Sequence, residues 1–445
     1  MATLRSIWEE DILIEIMGMI VKKVISISDY VRMSAVCKSW RSMLADHKPS
    51  HDLEAPWLLQ LKDCAYNDHT GFNFYSLSDS RFYSFKLPNH ILNKYPKVAR
   101  GATFCCATSN GWLILVAGPS HNPDMFLFDP ISEIDVKLPP LTTLPSSPYF
   151  KQHTIAVMVN MVHIFSITDD STTNLIVVAT FLDFSNEILA FCNCDIGVTE
   201  EERSWEIFDA GRAISCYETM LFNNGVLYTF VSYDDDDLNT IKDTRISDEI
   251  NHVVVLKPGC CEVKMKLINI VKYNTAHHIR PCDSELHYIT DSGLKYVYLA
   301  KSITGELLII WNKTDRLSEH DDAHDDEHDD EEHDDDYDLG IYHTSKLMIE
   351  RYEGFYKTGK DFESITSLGD QTLFVSPNSN SFSVPARSGN GCQANSIYFT
   401  VDALHTLYVK SLTRYRQSGI YCIQEGRIKR PFPNPPLWFQ PRLRN

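Results

Sequence analysis

Four histidines, His320, His324, His328 and His333, stand in an acidic run from Glu319 to Asp338. Histidines four residues apart share a helix face, and neighbouring carboxylates add hard oxygen ligands, so the pattern could hold a divalent cation. Dense like charge opposes the helix this would require. No second shell around the run fixes the imidazole rings. The run carries 14 of the chain's 60 acidic residues, is low in complexity and lacks apolar anchors. These features predict a disordered loop over 318–338 that binds divalent ions or a basic surface only weakly, and no specific metal site.

Other chemistry-bearing patterns are incomplete. Gly354 to Lys360 (GFYKTGK) fits the phosphate-cradling G-x-x-x-x-G-K loop. Asp361 then stands where Ser or Thr would present a hydroxyl to Mg²⁺, and a carboxylate there would face the phosphates. The next residues, ESITSLGDQ, read as strand, so no helix N-terminus supplies amide dipoles, and the segment reads as a hairpin turn. Cys105–Cys106 and Cys260–Cys261 are adjacent pairs, and Cys192 and Cys194 are separated by one residue. None gives the two-plus-two zinc spacing, and buried, reduced thiols are expected. The chain has no G-x-S-x-G or H-E-x-x-H sequence, and His277–His278 has no recognisable carboxylate companion. The reading is a non-catalytic protein without cofactor or metal.

Composition supports this. Apolar residues make up 43% and charged residues 23% of 445 positions, ordinary for a globular protein. Removing the 14 acidic charges of the tract from the net −19 leaves −5, so neither a basic nucleic-acid face nor a strongly acidic body is expected. No apolar run approaches the roughly 20 residues of a membrane helix. The opening MATLRSIWEED turns acidic where a secretion signal has its apolar centre. A nuclear or cytoplasmic location follows, in which the 12 cysteines stay reduced and the Asn312 sequon has no use.

The residues that could bind another protein lie near the start. In Ser26–Ser42 (SISDYVRMSAVCKSWRS), apolar residues recur at three- and four-residue steps, with Arg32, Lys38 and Arg41 between them. That is the helical period, with Ser28 and Asp29 as N-cap and first-turn charge. Ile12, Leu13, Ile16, Met17 and Ile20 form an earlier helical run, introduced by Glu9, Glu10 and Asp11. Two or three short helices in about 45 residues cannot bury this apolar surface among themselves, so a partner should cover part of it.

The segment resembles the F-box, and ISDYVR with AVCKSWR is similar to plant members. Trp8 and Glu9 occupy the places where the family usually has Leu-Pro. The resemblance implies a three-helix F-box over 1–49. It implies docking on the Skp adaptor, and through it on cullin, by Ile12, Leu13, Ile16, Val36, Cys37 and Trp40.

Beyond about Trp57 the pattern changes to strands. Runs such as FYSFKLP, GWLILVAG, MFLFDP, IAVMVN, LIVVATFLDF, LLIIWN, TLFVSP and IYCIQEG are bounded by turn formers and enriched in β-branched and aromatic residues. Many short strands without alternating helices predict a mostly β fold, and the length favours a large β-propeller over 55–440. Dividing it into units of around 50 residues gives about seven blades, with six or eight left open because no clean repeat is visible. Trp57, Trp112, Trp205, Trp311 and Trp438 are expected in the core. The Pro-rich C-terminus is expected to close the ring as a strand.

This region resembles the plant domain of unknown function 295, a kelch-like propeller of the KIB type. The resemblance rests on APWLLQL with FYSLSDSRFYSFKLP, on TSNGWLILV, FLFDPIS and KLPPL, and on SLGDQTLFVSPNSNSFSV, GCQANSIYFTVD and PPLWFQP. Together the two resemblances imply the substrate-recognition subunit of an SCF-type ubiquitin ligase, with an unknown protein target on the propeller. The alternatives are an interaction scaffold with a degenerate F-box, or a propeller enzyme with convergent carboxylates or histidines in its channel.

Overall fold

A continuous apolar run such as Trp112–Ala117 (WLILVA) can form a strand only if both of its faces are covered. In this protein they are. Trp112, Ile114 and Val116 enter one buried cluster with Val162, Val177 and Ala179. Leu113, Leu115 and Ala117 enter another with Trp57, Phe74 and Phe439. The same division recurs at Leu307–Trp311, where Leu308 and Ile310 face one cluster and Leu307, Ile309 and Trp311 the other. Sheets stacked face to face around a ring give every strand two buried sides, which is the propeller arrangement.

The computed structural model describes residues 16, 19–20, 27–45, 55–59, 71–94, 104–118, 124–144, 159–166, 175–183, 186–194, 199, 203–208, 216–223, 225–232, 253–256, 263–269, 294–317, 341–352, 362–377, 379–387, 390–400, 418–432 and 437–442. Among them three α-helices have described bounds, α1 (Ile27–Ser34), α2 (Lys38–Ala45) and α3 (Asn89–Lys94), beside a 3-10 turn at Leu141–Thr143 and the helical residues Ile16, Met19 and Ile20.

The strands, in chain order, are β1 (Trp57–Leu59), β2 (Gly71–Ser76), β3 (Phe82–Lys86), β4 (Phe104–Ser109), β5 (Trp112–Ala117), β6 (Asp124–Asp129), β7 (Ile134–Lys137), β8 (Val159–Ser166), β9 (Leu175–Asp183), β10 (Asn186–Asn193), β11 (Glu206–Ile207), β12 (Cys216–Asn223) and β13 (Val226–Ser232). There follow β14 (Val253–Leu256), β15 (Val263–Asn269), β16 (Leu294–Lys301), β17 (Leu307–Leu317), β18 (Ile341–Tyr352), β19 (Phe362–Ile365), β20 (Gln371–Val375), β21 (Phe382–Pro385), β22 (Ser396–Phe399), β23 (Ser418–Cys422), β24 (Arg427–Phe432) and β25 (Leu437–Phe439).

Among the described residues these strands form five four-stranded sheets and one five-stranded sheet. The expectation of about seven blades is thus corrected to six sheets. A uniform blade length misled, because the second sheet is complete between Phe104 and Lys137 while the fifth runs from Leu294 to Ile365. Strands β25, β4, β8, β12 and β16 lie beside one another in succession, and β16 neighbours both β20 and β21 of the last sheet. Two sheets depart from a simple meander: β13 pairs in parallel with β15, and β20 in parallel with β22. Of the expected strand IAVMVN, Val159 and Asn160 begin β8, which continues to Ser166, and the four residues before them lie outside the described residues.

The ring closes as expected from the C-terminus. Strand β25 pairs antiparallel with β1, Leu58 opposite Trp438, so the first sheet contains both ends of the propeller. Leu58 and Trp438 then pack on Phe374, Val384, Tyr398 and Ile420 of the last sheet. Gly391 fits this seam closely: its φ is 71°, and a Cβ there would lie 2.1 Å from the Leu77 carbonyl oxygen. All five tryptophans named above are buried.

The acidic tract, the hairpin expected at Gly354–Lys360, Cys260–Cys261 and His277–His278 lie outside the described residues. Leu317 and Ile341, which flank the tract, are paired at the end of the β17–β18 hairpin. Phe362–Ile365, where a phosphate loop would need a helix, is strand. Asn312 of the sequon is fully buried on β17.

Candidate protein-docking site

The continuous helical period over Ser26–Ser42 is broken in the structure into α1 and α2. Ala35 and Val36 amides turn back to Arg32 and Met33 carbonyls at 3.3 and 3.1 Å, tightening the end of α1. Helix α1 begins at Ile27, so Ser28, expected at its N-cap, lies inside it. The residue before α2 is Cys37, whose Sγ accepts the Trp40 amide at 3.5 Å. Arg41 Nε donates to the Ser34 carbonyl at 3.2 Å and ties the helices together.

Their shared core is small. Tyr30 and Leu44 are buried, and Met33 packs against them. Burial pushes the Tyr30 hydroxyl pKa up. Other apolar residues stay in solvent: Ile16 is 51%, Met19 66%, Ile20 45% and Val36 61% exposed. Ile16, Met19 and Ile20 are each helical. Cys37 is exposed and Trp40 half-buried, with exposed Arg32, Lys38 and Arg41 around them. Such a surface suits a partner with an apolar groove and an acidic rim.

Of the residues expected to face the adaptor, Val36 and Cys37 form the α1–α2 corner, Trp40 lies in α2 and Ile16 is exposed in a helical position. Ile12 and Leu13 lie outside the described residues. Met19, which apolar spacing did not single out, is also exposed, three residues from Ile16.

On the propeller, the motif TSNGW builds a polar junction near the inner strands. Asn110 and Gly111 have φ of 50° and 78°, the pair of positive values that a two-residue hairpin turn requires. The Ile164 amide donates to Ser109 Oγ at 2.7 Å, and Asn110 Nδ2 donates to the Ile164 carbonyl. Ser109 Oγ donates to Asn380 Oδ1 at 3.0 Å, Thr108 Oγ1 to the Trp438 carbonyl at 2.6 Å and Arg442 Nη2 to Asn110 Oδ1 at 3.0 Å. Four sheets meet there through internally satisfied polar groups, which is a structural lock.

The thiols fit their expected role. Cys105 and Cys106 point into different clusters, and burial pushes the Cys106 thiol up to about 12. Cys192 and Cys194 lie on one side of their strand with sulfurs 3.1 Å apart, and burial raises Cys192. Among the described residues no group of three or more His, Cys, Asp or Glu could hold a metal. No described helix is long and apolar enough to cross a membrane.

Residues 74–422 match the model of the KIB1-4 beta-propeller family. The chain belongs to that family. The match starts on β2 and ends on β23, so the KIB1-4 region holds all six sheets in part or whole but excludes α1, α2, β1, β24 and the closing strand β25. No curated protein matches the chain.

Proposed function

We propose that this protein is the substrate-recognition subunit of an SCF-type ubiquitin ligase. Its N-terminal helices dock on the Skp adaptor as an F-box, and its propeller holds a protein target. The observation that carries the reading is the exposed apolar set Ile16, Met19, Ile20 and Val36 on a module whose own core is Tyr30, Leu44 and Met33. Burying such surface against a partner is worth about 25 cal/mol per Å².

The subunit needs no chemistry of its own. Holding a target beside a separate ubiquitin-transferring enzyme converts a bimolecular encounter into a local one. Nucleus or cytoplasm is the compartment this assigns. A scaffold that no longer engages the adaptor is the second reading, favoured by Trp8 and Glu9 in place of the family's Leu-Pro.

The test is capture of the full-length protein by purified Skp adaptor, beside a chain beginning at residue 50. Capture that requires residues 1–49 supports the receptor. A folded full-length protein that is not captured leaves the scaffold.

A further inference from the structure

We infer that Tyr83 is a positioning residue that biases the N-terminal helices toward one orientation against the first sheet, and so toward one direction in which their apolar face points from the propeller. Its use in ubiquitin transfer rests on the receptor reading, but its geometry does not.

Arg32, in the last turn of α1, donates through Nη1 to Asp29 Oδ1 at 3.1 Å and through Nη2 to Tyr83 Oη at 3.2 Å. The Tyr83 hydroxyl in turn donates to Asp79 Oδ2. A guanidinium only donates and a carboxylate only accepts, so the middle group must do both. A phenol hydroxyl does. Phenylalanine would keep the ring and lose the relay.

The hydroxyl is held in place by the propeller. The Tyr83 ring stacks on Trp57 at 4.8 Å with 8° between the planes, and Phe85 stacks on the same indole at 5.9 Å. Trp57 is buried on β1, the strand that β25 closes. Asp79 lies in the β2–β3 turn, where Ser80 has φ of 55° and the Ser76 amide donates to the Arg81 carbonyl at 2.9 Å. Partial burial would raise the Asp79 carboxyl, but hydrogen bonds led by that from Tyr83 outweigh it and lower its pKa.

On the helical side, pairing with Asp29 restrains the guanidinium before it reaches Tyr83. Through Arg41 and Ser34, α2 follows α1. An exposed polar contact is individually weak, so it biases one orientation over others without locking it.

The full chain tests this by its rate of subtilisin cleavage between Ala45 and Ala55, the stretch of chain that joins the helices to β1, read as the frequency with which the helices leave the sheet. Arg32→Ala and Tyr83→Phe should each raise that rate about threefold, the double variant no further, and Arg32→Lys should stay near the parent. Unchanged rates for both single variants, or additive ones in the double, would overturn the assignment. Adaptor capture, measured on the same proteins, should be equal for parent and Tyr83→Phe, which leaves the helices' own side chains unchanged. A parent that fails capture removes the receptor reading and leaves the cleavage result standing.

Discussion

Trp438 Nε1 donates to the Val375 carbonyl at 3.0 Å, joining the last strand of the chain to the middle of the sixth sheet. That oxygen also accepts the Thr400 amide at 3.0 Å, so the indole fills its second lone pair. The ring itself is 1% exposed and meets Phe374 edge-on at 5.2 Å. The main-chain oxygen of Trp438 receives Thr108 Oγ1. One residue thereby holds the first, second and sixth sheets together.

The two contributions of Trp438 should separate by mutation. Trp438→Phe keeps most of the packing and leaves Val375 with its amide partner, so the loss should be about 1 kcal/mol, the net worth of one hydrogen bond. Trp438→Ala empties the seam and should cost about 3–5 kcal/mol. Urea denaturation followed by tryptophan fluorescence reads both. Equal losses from the two variants would place the strength in the indole N–H instead of the packing.

Arg351 offers a pH test in the fifth sheet. Its guanidinium donates to Glu306 at 2.8 Å and to Glu363 across the β18–β19 pair. The hydrogen bond from Arg351 is the chief reason that the Glu306 carboxyl is held below its ordinary pKa. A depressed carboxylate stabilises the fold above its unfolded value, about 4.3. That contribution fades as pH falls through the folded value. Arg351→Met should therefore lower the melting temperature slightly at pH 7, by about 1–2 °C given solvent screening. The gap from the parent should shrink as pH falls below 4. A gap that widened in acid would show that Arg351 acts by packing.

How much of this was legible in the sequence depended on the range of the physics. Both faces of WLILVA are apolar, so that strand and its burial follow from the residues alone. Asn110–Gly111 likewise announces its tight turn. The Gly391–Leu77 contact joins residues more than three hundred positions apart, and no local pattern reports it. The parallel β13–β15 and β20–β22 pairs are equally hidden, because a strand's residues do not state which neighbour it takes. In the N-terminal helices, apolar spacing singled out Ile16, Val36 and Trp40, of which Ile16 and Val36 are exposed. It ran the helix straight through Ala35–Cys37, since period alone does not mark where a turn closes with three-residue hydrogen bonds. Arg32 read only as a charge between apolar positions, and its partner Tyr83 lies 51 residues on.

Cys37 and Val36 test the docking face directly. Cys37 is exposed, whereas Cys105, Cys106, Cys192, Cys194 and Cys422 are buried, and burial pushes the Cys392 thiol up to about 12. Among these described thiols, iodoacetamide should alkylate Cys37 first in the native full chain, as peptide mass spectrometry would read. Because Cys37 adjoins Val36 and caps the helix bearing Trp40, the alkylated protein should bind the adaptor more weakly. Val36→Glu should go further, losing about thirtyfold in affinity, as expected when a contact worth about 2 kcal/mol is removed. Val36 is 61% exposed, so the melting temperature should not move. Unchanged adaptor affinity in both proteins would place the docking face elsewhere on the helices, and a fall in melting temperature would make Val36 a packing residue.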